Sequence, residues 1–268
     1  MINAGVLGSP IFHSLSPLLH TTAYRALAID GEYKAYEVAS GGLEDFLLDQ
    51  GKSLNCLSLT MPLKEEALAV ADHVSTISRQ IASGNTLHKK ADGWHLTSTD
   101  VEGFTFALEA SGHVAIKTVL IIGAGATARA VAAACNREAT AITVVGRSAS
   151  RHESIRQSAA NASINFVDWD TNLDLDSFDL VVNTTPADTA AGFLGRVNNP
   201  QGVFFEVIYN PWPTVLLKKW KQVGGSYVDG LDLLIHQAIS QIEIFSGQKL
   251  DRLSMAQLLR SEGLKALH

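Results

Sequence analysis

Short apolar runs alternate along this chain with stretches of helical spacing. Ala4–Gly8 is apolar and closes at Gly8-Ser9-Pro10. Leu15–Leu27 repeats apolar residues at helical intervals, with Ser14 or Ser16 as a cap and Pro17 in the first turn. Tyr33–Val38 alternates like a strand, Gly42–Gln50 predicts a helix, and Leu54–Met61 predicts a strand stopped by Pro62. Helices are expected over Glu65–Ala71, Val74–Ile81 and Val101–Ala110, and a short strand over Trp94–Thr97. Asn85-Thr86 and Thr99-Asp100 are placed in turns.

After Lys117 the pattern resets. Thr118–Ile122 is β-branched and wholly apolar, as a strand buried on both faces should be. Ala126–Cys135 is Ala-rich and helical. Strands follow at Ala141–Val145, Ser163–Val167, Leu180–Asn183 and Val203–Val207, the last leading into the Pro-rich loop Tyr209–Pro213. Val215–Val223, Gly230–Phe245 and Met255–Leu264 predict helices. Strands alternating with helices imply parallel α/β layers. With 268 residues, two domains are expected. The boundary is placed in the stretch Gly103–Lys117, giving 1–102 and 103–229 as domains, with the helices of 230–268 joining the first.

Composition narrows the field. Hydrophobic residues make up 46% and charged residues 18%, with a net charge of -6. No basic stripe suggests nucleic acid, and no long apolar stretch suggests a membrane span. The start, MINAGVLGSPIF, lacks the pattern of a signal peptide, so a cytoplasmic location is expected. Cys56 and Cys135 have no close cysteine neighbour; buried, reduced thiols are expected, and no metal.

The segment KTVLIIGAGATARA, residues 117–130, reads as strand, Gly-rich turn, helix. Its turn, Gly123-Ala124-Gly125-Ala126-Thr127-Ala128, has the G-x-G-x-x-A form of a dinucleotide fingerprint. Gly123 serves the tight turn, Gly125 lets a pyrophosphate reach the backbone, and Ala128 keeps the helix close to the sheet. The next strand ends at Val145-Gly146-Arg147-Ser148. An NAD site has an acid here for the ribose diol. Arg147 and Arg151 suit a 2′-phosphate instead, so NADP is the expected cofactor.

Polar groups gather at strand ends in the first domain. Ser14 and Ser16 sit two residues apart beside a helix start, Ser58 and Thr60 on one side of a strand, and Lys64 just beyond it. Singly, each reads as a cap or a solvated group. Together, a lysine and a carboxylate, Asp100, can move a proton and steady charge on an oxygen.

The runs GVLGSPIFHSLSPLLH, SLTMPLKEEAL, GNTL, TSTDVEG, GAGATARA, NTTP, YNPWPT and GLDLLIHQA occur in the order seen in shikimate dehydrogenases. From about Gly5 to Gly247 the chain resembles that family. The resemblance implies an α/β substrate domain and a Rossmann-type, doubly wound NADP domain, with a cleft between them. It implies interconversion of 3-dehydroshikimate and shikimate by hydride transfer. Ser14 and Ser16, helped by Tyr209, would hold the carboxylate. Ser58, Thr60, Asn85, Asp100 and Gln237 would line the ring hydroxyls, and Lys64 and Asp100 would be the catalytic pair. Gly123, Ala124, Gly125, Ala126 and Thr127 would cradle the pyrophosphate, and Gly146, Arg147, Ser148 and Arg151 would clamp the 2′-phosphate. Asn183, Thr184 and Thr185 would border the cofactor, with Gly230 and Leu233 near the nicotinamide.

The chain departs from the family pattern at Ser58, Ser98, Gly146, Ser148, Glu206 and Leu233. Two other readings compete: a quinate/shikimate dehydrogenase with relaxed or NAD preference, against which Arg147, Arg151 and Ser16 argue, and a non-catalytic nucleotide-binding regulator, against which the intact Lys64 and Asp100 argue. The expected partners are small molecules, with the chain a monomer or homodimer.

Overall fold

The structure is a computed structural model and describes residues 1–113 and 115–267. Val114, within the stretch where the boundary is expected, lies outside the described residues. The chain divides into two compact units: Met1–Gly103 with Leu234–His268, and Phe104–Leu233.

The first unit opens with β1 (Ile2–Gly8), α1 (Ser16–Ala26) and β2 (Gly31–Glu37), a β-α-β crossover whose two strands pair in parallel. The residue capping α1 is Leu15, whose side chain cannot cap; Ser14 Oγ instead accepts the Ser16 N–H at 3.3 Å, and Pro17 removes one of the donors a cap would serve. Next come α2 (Leu43–Leu48), β3 (Cys56–Leu59) and α3 (Leu63–Val70). Val74, expected to be helical, belongs to the two-residue β4 (His73–Val74); α4 (Thr76–Gln80) starts after Ser75, whose Oγ accepts the Ser78 N–H. β5 (Thr86–Lys90) and β6 (Gly93–Thr97) form a tight hairpin, and α5 begins at Asp100 (Asp100–Ala110). β5 escapes the sequence reading because only Leu87 of its exposed half-polar pattern enters the core. The six strands order as β2-β1-β3-β5-β6-β4, with β5 antiparallel to both neighbours.

The second unit is a parallel sheet. β7 (Thr118–Ile122) leads through the glycine turn into α6 (Ala126–Ala134), then β8 (Ala141–Gly146), α7 (His152–Ser158), β9 (Ser163–Asp168) and β10 (Leu180–Asn183). β11 (Val203–Glu206), α8 (Val215–Gln222) and β12 (Ser226–Val228) complete it. The order β12-β11-β10-β7-β8-β9 is that of a doubly wound sheet, with its switch point between β7 and β10. β7 explains its unbroken apolar run: Val119 and Ile121 enter one core, Leu120 and Ile122 the other. In the second of these cores Trp220 is fully buried and stacks on Phe204, with centroids 5.2 Å apart.

The chain re-enters the first unit through α9 (Gly230–Ser246) and ends in α10 (Arg252–Leu267). Both crossings between units therefore fall inside helices, α5 and α9. In the first unit Arg252 bonds Glu243 at 2.5 Å and Ser240 at 2.9 Å, and Ser240 donates to Glu102 at 2.6 Å, which ties α10, α9 and α5 together. Gly103 permits this: a Cβ there would lie 2.8 Å from both the Cβ and the backbone N of Gln237. No helix among the described residues is long and apolar enough to cross a membrane.

Truncating Trp220 to Ala should cost about 3–5 kcal/mol, the usual range for a large aromatic removed from a packed core. Urea unfolding followed by circular dichroism reads this directly; an unchanged midpoint would show that the second core does not depend on that ring.

Candidate active site

In the first unit, residues of α3, β5, α5 and α9 and the segments leading into β5 and α5 contribute to one polar cluster. Lys64, in the first turn of α3, points its Nζ at Asp100 Oδ2, 2.7 Å away, with side-chain exposures of 17% and 9%. The other carboxylate oxygen, Oδ1, accepts from Asn85 Nδ2 at 2.8 Å. Asn85 is 2% exposed and stands at the foot of β5. Its Nδ2 also reaches Thr99 Oγ1 at 3.0 Å and Gln237 Oε1 at 3.2 Å, while its Oδ1 accepts from the Thr99 N–H and the Thr86 hydroxyl, both at 2.8 Å. One carboxamide thus joins β5, the start of α5 and α9. The Asp100 carboxylate is turned to Lys64 and Asn85, and the Asp100 N–H reaches Ser98 Oγ at 3.4 Å.

Beneath this lies a second layer that the sequence reading missed. Gln241, one helical turn beyond Gln237, donates to the Asn85 carbonyl at 3.0 Å and the Thr86 hydroxyl at 2.9 Å. Its Oε1 accepts from Ser58 Oγ at 2.7 Å, and Ser58 in turn accepts from the Tyr33 hydroxyl at 2.6 Å. The i, i+4 spacing of the two glutamines was the available signal. Ser58 is therefore engaged by Tyr33 and Gln241. Tyr33 stacks on His20, with centroids 4.0 Å apart and an interplanar angle of 19°. Burial raises the Tyr33 hydroxyl well above its ordinary pKa, and burial lowers the His20 imidazole to about 3. Ser14 is partly buried and Ser16 buried at the start of α1; Thr60 is partly buried just after β3, its N–H bonded to the Leu7 carbonyl at 2.9 Å. Tyr209 belongs to the second unit.

The second unit carries the glycine turn at its switch point. Gly123 has φ +107°, and a Cβ there would come within 2.5 Å of Thr184 Oγ1. The Thr184 N–H and hydroxyl both donate to the Ile122 carbonyl at 2.9 Å, which brings the ends of β7 and β10 side by side. A Cβ on Gly125, which caps α6, would meet nothing within 4 Å. Ala126 and Thr127 open the helix, whose first turn has no acidic residue. At the end of β8, Gly146 faces Ala124, and beyond it Arg147, Ser148 and Arg151 are exposed. The Arg147 guanidinium lies 5.8 Å from the Trp169 ring centroid, and Ser148 Oγ accepts the Ser150 N–H.

Asn183 is buried and committed elsewhere. Its Nδ2 lies 3.1 Å from both oxygens of Glu206, and its Oδ1 accepts from the Thr185 hydroxyl at 2.7 Å. Glu206 is fully buried, takes the Thr214 hydroxyl at 2.6 Å, and has its pKa raised by burial despite these donors. Gly230 opens α9 against the backbone of Val207 and Ile208, and Leu233 packs into the core of the second unit. Both cysteines are free and buried, their thiols pushed up to about 12 by desolvation.

A doubly wound sheet with an open glycine turn at its switch point, in one chain with a second α/β unit bearing a buried lysine–carboxylate pair, defines the class: two-unit α/β proteins of the dinucleotide-binding type. The family described as "Shikimate dehydrogenase substrate binding domain" matches residues 6–87, and "Shikimate / quinate 5-dehydrogenase" matches 105–196. A curated relative from Hyphomonas neptunium, named shikimate dehydrogenase (NADP(+)), is 34% identical over 92% of each chain. The solved shikimate dehydrogenase of Mycobacterium tuberculosis is 34% identical with a TM-score of 0.86, covering 97% of this chain and 99% of its own. The Thermus thermophilus shikimate 5-dehydrogenase, solved in complex with NADP(H) and shikimate, is 28% identical with a TM-score of 0.84, covering 98% and 100%. The chain belongs to the shikimate dehydrogenase family.

The buried His20 makes stability pH-dependent. Its pKa falls from 6.5 to about 3 on folding, so the unfolded chain takes up a proton between these values that the folded chain refuses. Stability present above pH 6.5 is lost as pH falls, at about 1.4 kcal/mol per pH unit for this group. His20→Phe should therefore lose about 2 kcal/mol less than the wild type between about pH 7.5 and about pH 5, read from urea midpoints. Equal losses in both would remove His20 as the cause.

Proposed function

We propose that this chain interconverts 3-dehydroshikimate and shikimate, with NADP as the hydride carrier. The observation that carries this reading is the largely buried Lys64–Asp100 pair, with Nζ 2.7 Å from one carboxylate oxygen and Asn85 on the other. A pure binding module has no need of a cation held against a buried carboxylate. The relative solved with NADP(H) and shikimate supports the same substrate and cofactor here.

The residues of the second unit fit NADP. The open side of Gly125 and the uncapped α6 N-terminus suit a pyrophosphate, with Ala124, Ala126 and Thr127 around it. Arg147, Arg151 and Ser148, in place of an acid after β8, suit a 2′-phosphate. Gly146 leaves room beside them; Thr184, Thr185, Gly230 and Leu233 border the rest, with Asn183 acting through its bonds to Thr185. When bound, NADPH supplies the hydride.

The chain's own residues do the remaining work. Lys64 holds a proton on Nζ for the oxygen that becomes the hydroxyl, and its charge steadies that oxygen. Asp100 orients Lys64 and is itself held by Asn85. Gln237, Thr60 and Asn85 bind ring hydroxyls; Ser14 and Ser16 hold the carboxylate. Ser58 acts one layer back, through Gln241. The enzyme works in the cytoplasm on small molecules, as a monomer or homodimer.

Absorbance at the reduced-nicotinamide band, with shikimate or quinate and NADP or NAD, tests the whole reading. Turnover chiefly with shikimate and NADP is expected; no turnover with any pair overturns it. Lys64→Ala should lower kcat by about 100- to 10,000-fold, and a variant with wild-type kcat sinks the acid–base role. Arg147→Ala should raise KM for NADP roughly tenfold or more while leaving that for NAD unchanged, since a charged hydrogen bond is lost only with the phosphorylated cofactor. Equal effects on both cofactors would refute the clamp.

A further inference from the structure

β5, β6 and β4 lie side by side at one edge of the first unit's sheet, and their register puts three histidines in a row. His88 is opposite His95, and His95 is opposite His73. Trp94 and Leu96 flank His95 and enter the core, so strand alternation turns His95 to the other face. The rings of His73 and His95 stack with centroids 4.4 Å apart at 27°. Two rings so placed offer their Nε2 atoms to the same point.

Asp92, in the turn joining β5 to β6, meets both. Its Oδ2 lies 3.1 Å from His73 Nε2 and its Oδ1 lies 2.8 Å from His95 Nε2. The three ligand atoms all fall within 4.8 Å of one another. Ligands bound to one tetrahedral zinc ion at its usual bond lengths sit roughly 3.3–3.6 Å apart, so small side-chain movements suffice. The frame is already held: the Asp72 carboxylate accepts the Trp94 N–H at 2.7 Å, tying the residue before His73 to the start of β6. His88 stands behind His95, with centroids 5.4 Å apart, and its Nδ1 is buried without a hydrogen-bond partner among the described residues. Two imidazoles and one carboxylate are borderline donors that favour zinc-like ions over Mg2+ or Ca2+.

We propose that His73, Asp92 and His95 form a zinc-binding site that staples the outer edge of the first unit's sheet, with the remaining coordination position open to solvent. Spacing along the chain gives no sign of it, because the ligands come from β4, a turn and β6, and only the register brings them together. The site is separate from Lys64, Asp100 and their supporting residues. Cys56 and Cys135 are buried and take no part in it.

The test is a calorimetric Zn2+ titration of the full chain with any affinity tag removed, beside His73→Ala and Asp92→Asn. The side chains of His73 and Asp92 are 49% and 59% exposed, so neither substitution disturbs a core, and melting curves in chelator check this. The wild type should bind one equivalent, and Zn2+ should raise its Tm. Each variant should bind at least about tenfold more weakly, as loss of a ligand requires when even outer partners are worth that much. No saturable binding by the wild type, or wild-type affinity in either variant, overturns the assignment.

Discussion

A buried carboxamide must satisfy two N–H donors and a carbonyl with two lone pairs, or lose free energy for each one missed. Asn85 meets that demand with partners drawn from β5, the loop before α5, α5 itself and α9. The consequence runs outward. Because Asn85 has one satisfying arrangement, Asp100 has one orientation, and Lys64 has one place to put its ammonium group. Gln241 then locks the Asn85 carbonyl, so the backbone just before β5 is held along with the side chain. The lysine–carboxylate pair is thus positioned by neutral amides and hydroxyls, which add no competing charge beside it.

The second unit rests on a different constraint. A parallel strand covered on both faces favours apolar side chains along its buried length, and β7 follows this from Val119 to Ile122. Polarity is therefore expelled to the strand ends, where the glycine turn after β7 and the threonines after β10 meet. Thr184 and Gly123 share that space on terms that leave no room for a Cβ. Glu206, a carboxylate buried at the end of β11, is surrounded by Asn183, Thr214 and backbone N–H groups.

What was legible in the amino-acid order was what is local. The apolar run of β7, the turn after it and the helix at Ala126 all announce themselves within a dozen residues. Lys64 and Asp100 stood out once both were seen beside element ends, and the family motifs placed the remaining candidates. Long-range facts were hidden. β5 looked like a turn because one face of it is polar; that face serves the network of Asn85, Thr86 and Gln241. Ser58 read as a ligand-facing hydroxyl, while the fold turns it to Tyr33 and Gln241. β4 and β12 are too short to carry a period of their own and exist because a neighbouring strand offers an edge.

The second unit interrupts the first in the chain, and this has a consequence in time. Asn85 and Gln237 are separated by 152 residues. At a synthesis rate of about 5–20 residues per second, roughly 8–30 s pass between the emergence of the two partners. Throughout that interval the nascent first unit holds a buried-type carboxamide and a lysine–carboxylate pair with their keystone helix still unmade. The second unit, by contrast, is continuous from Phe104 to Leu233 and has every strand it needs before α9 is finished. The order of assembly on the ribosome is therefore written into the insertion: the later-starting unit is the first able to close, and the unit holding the acid–base pair is completed last.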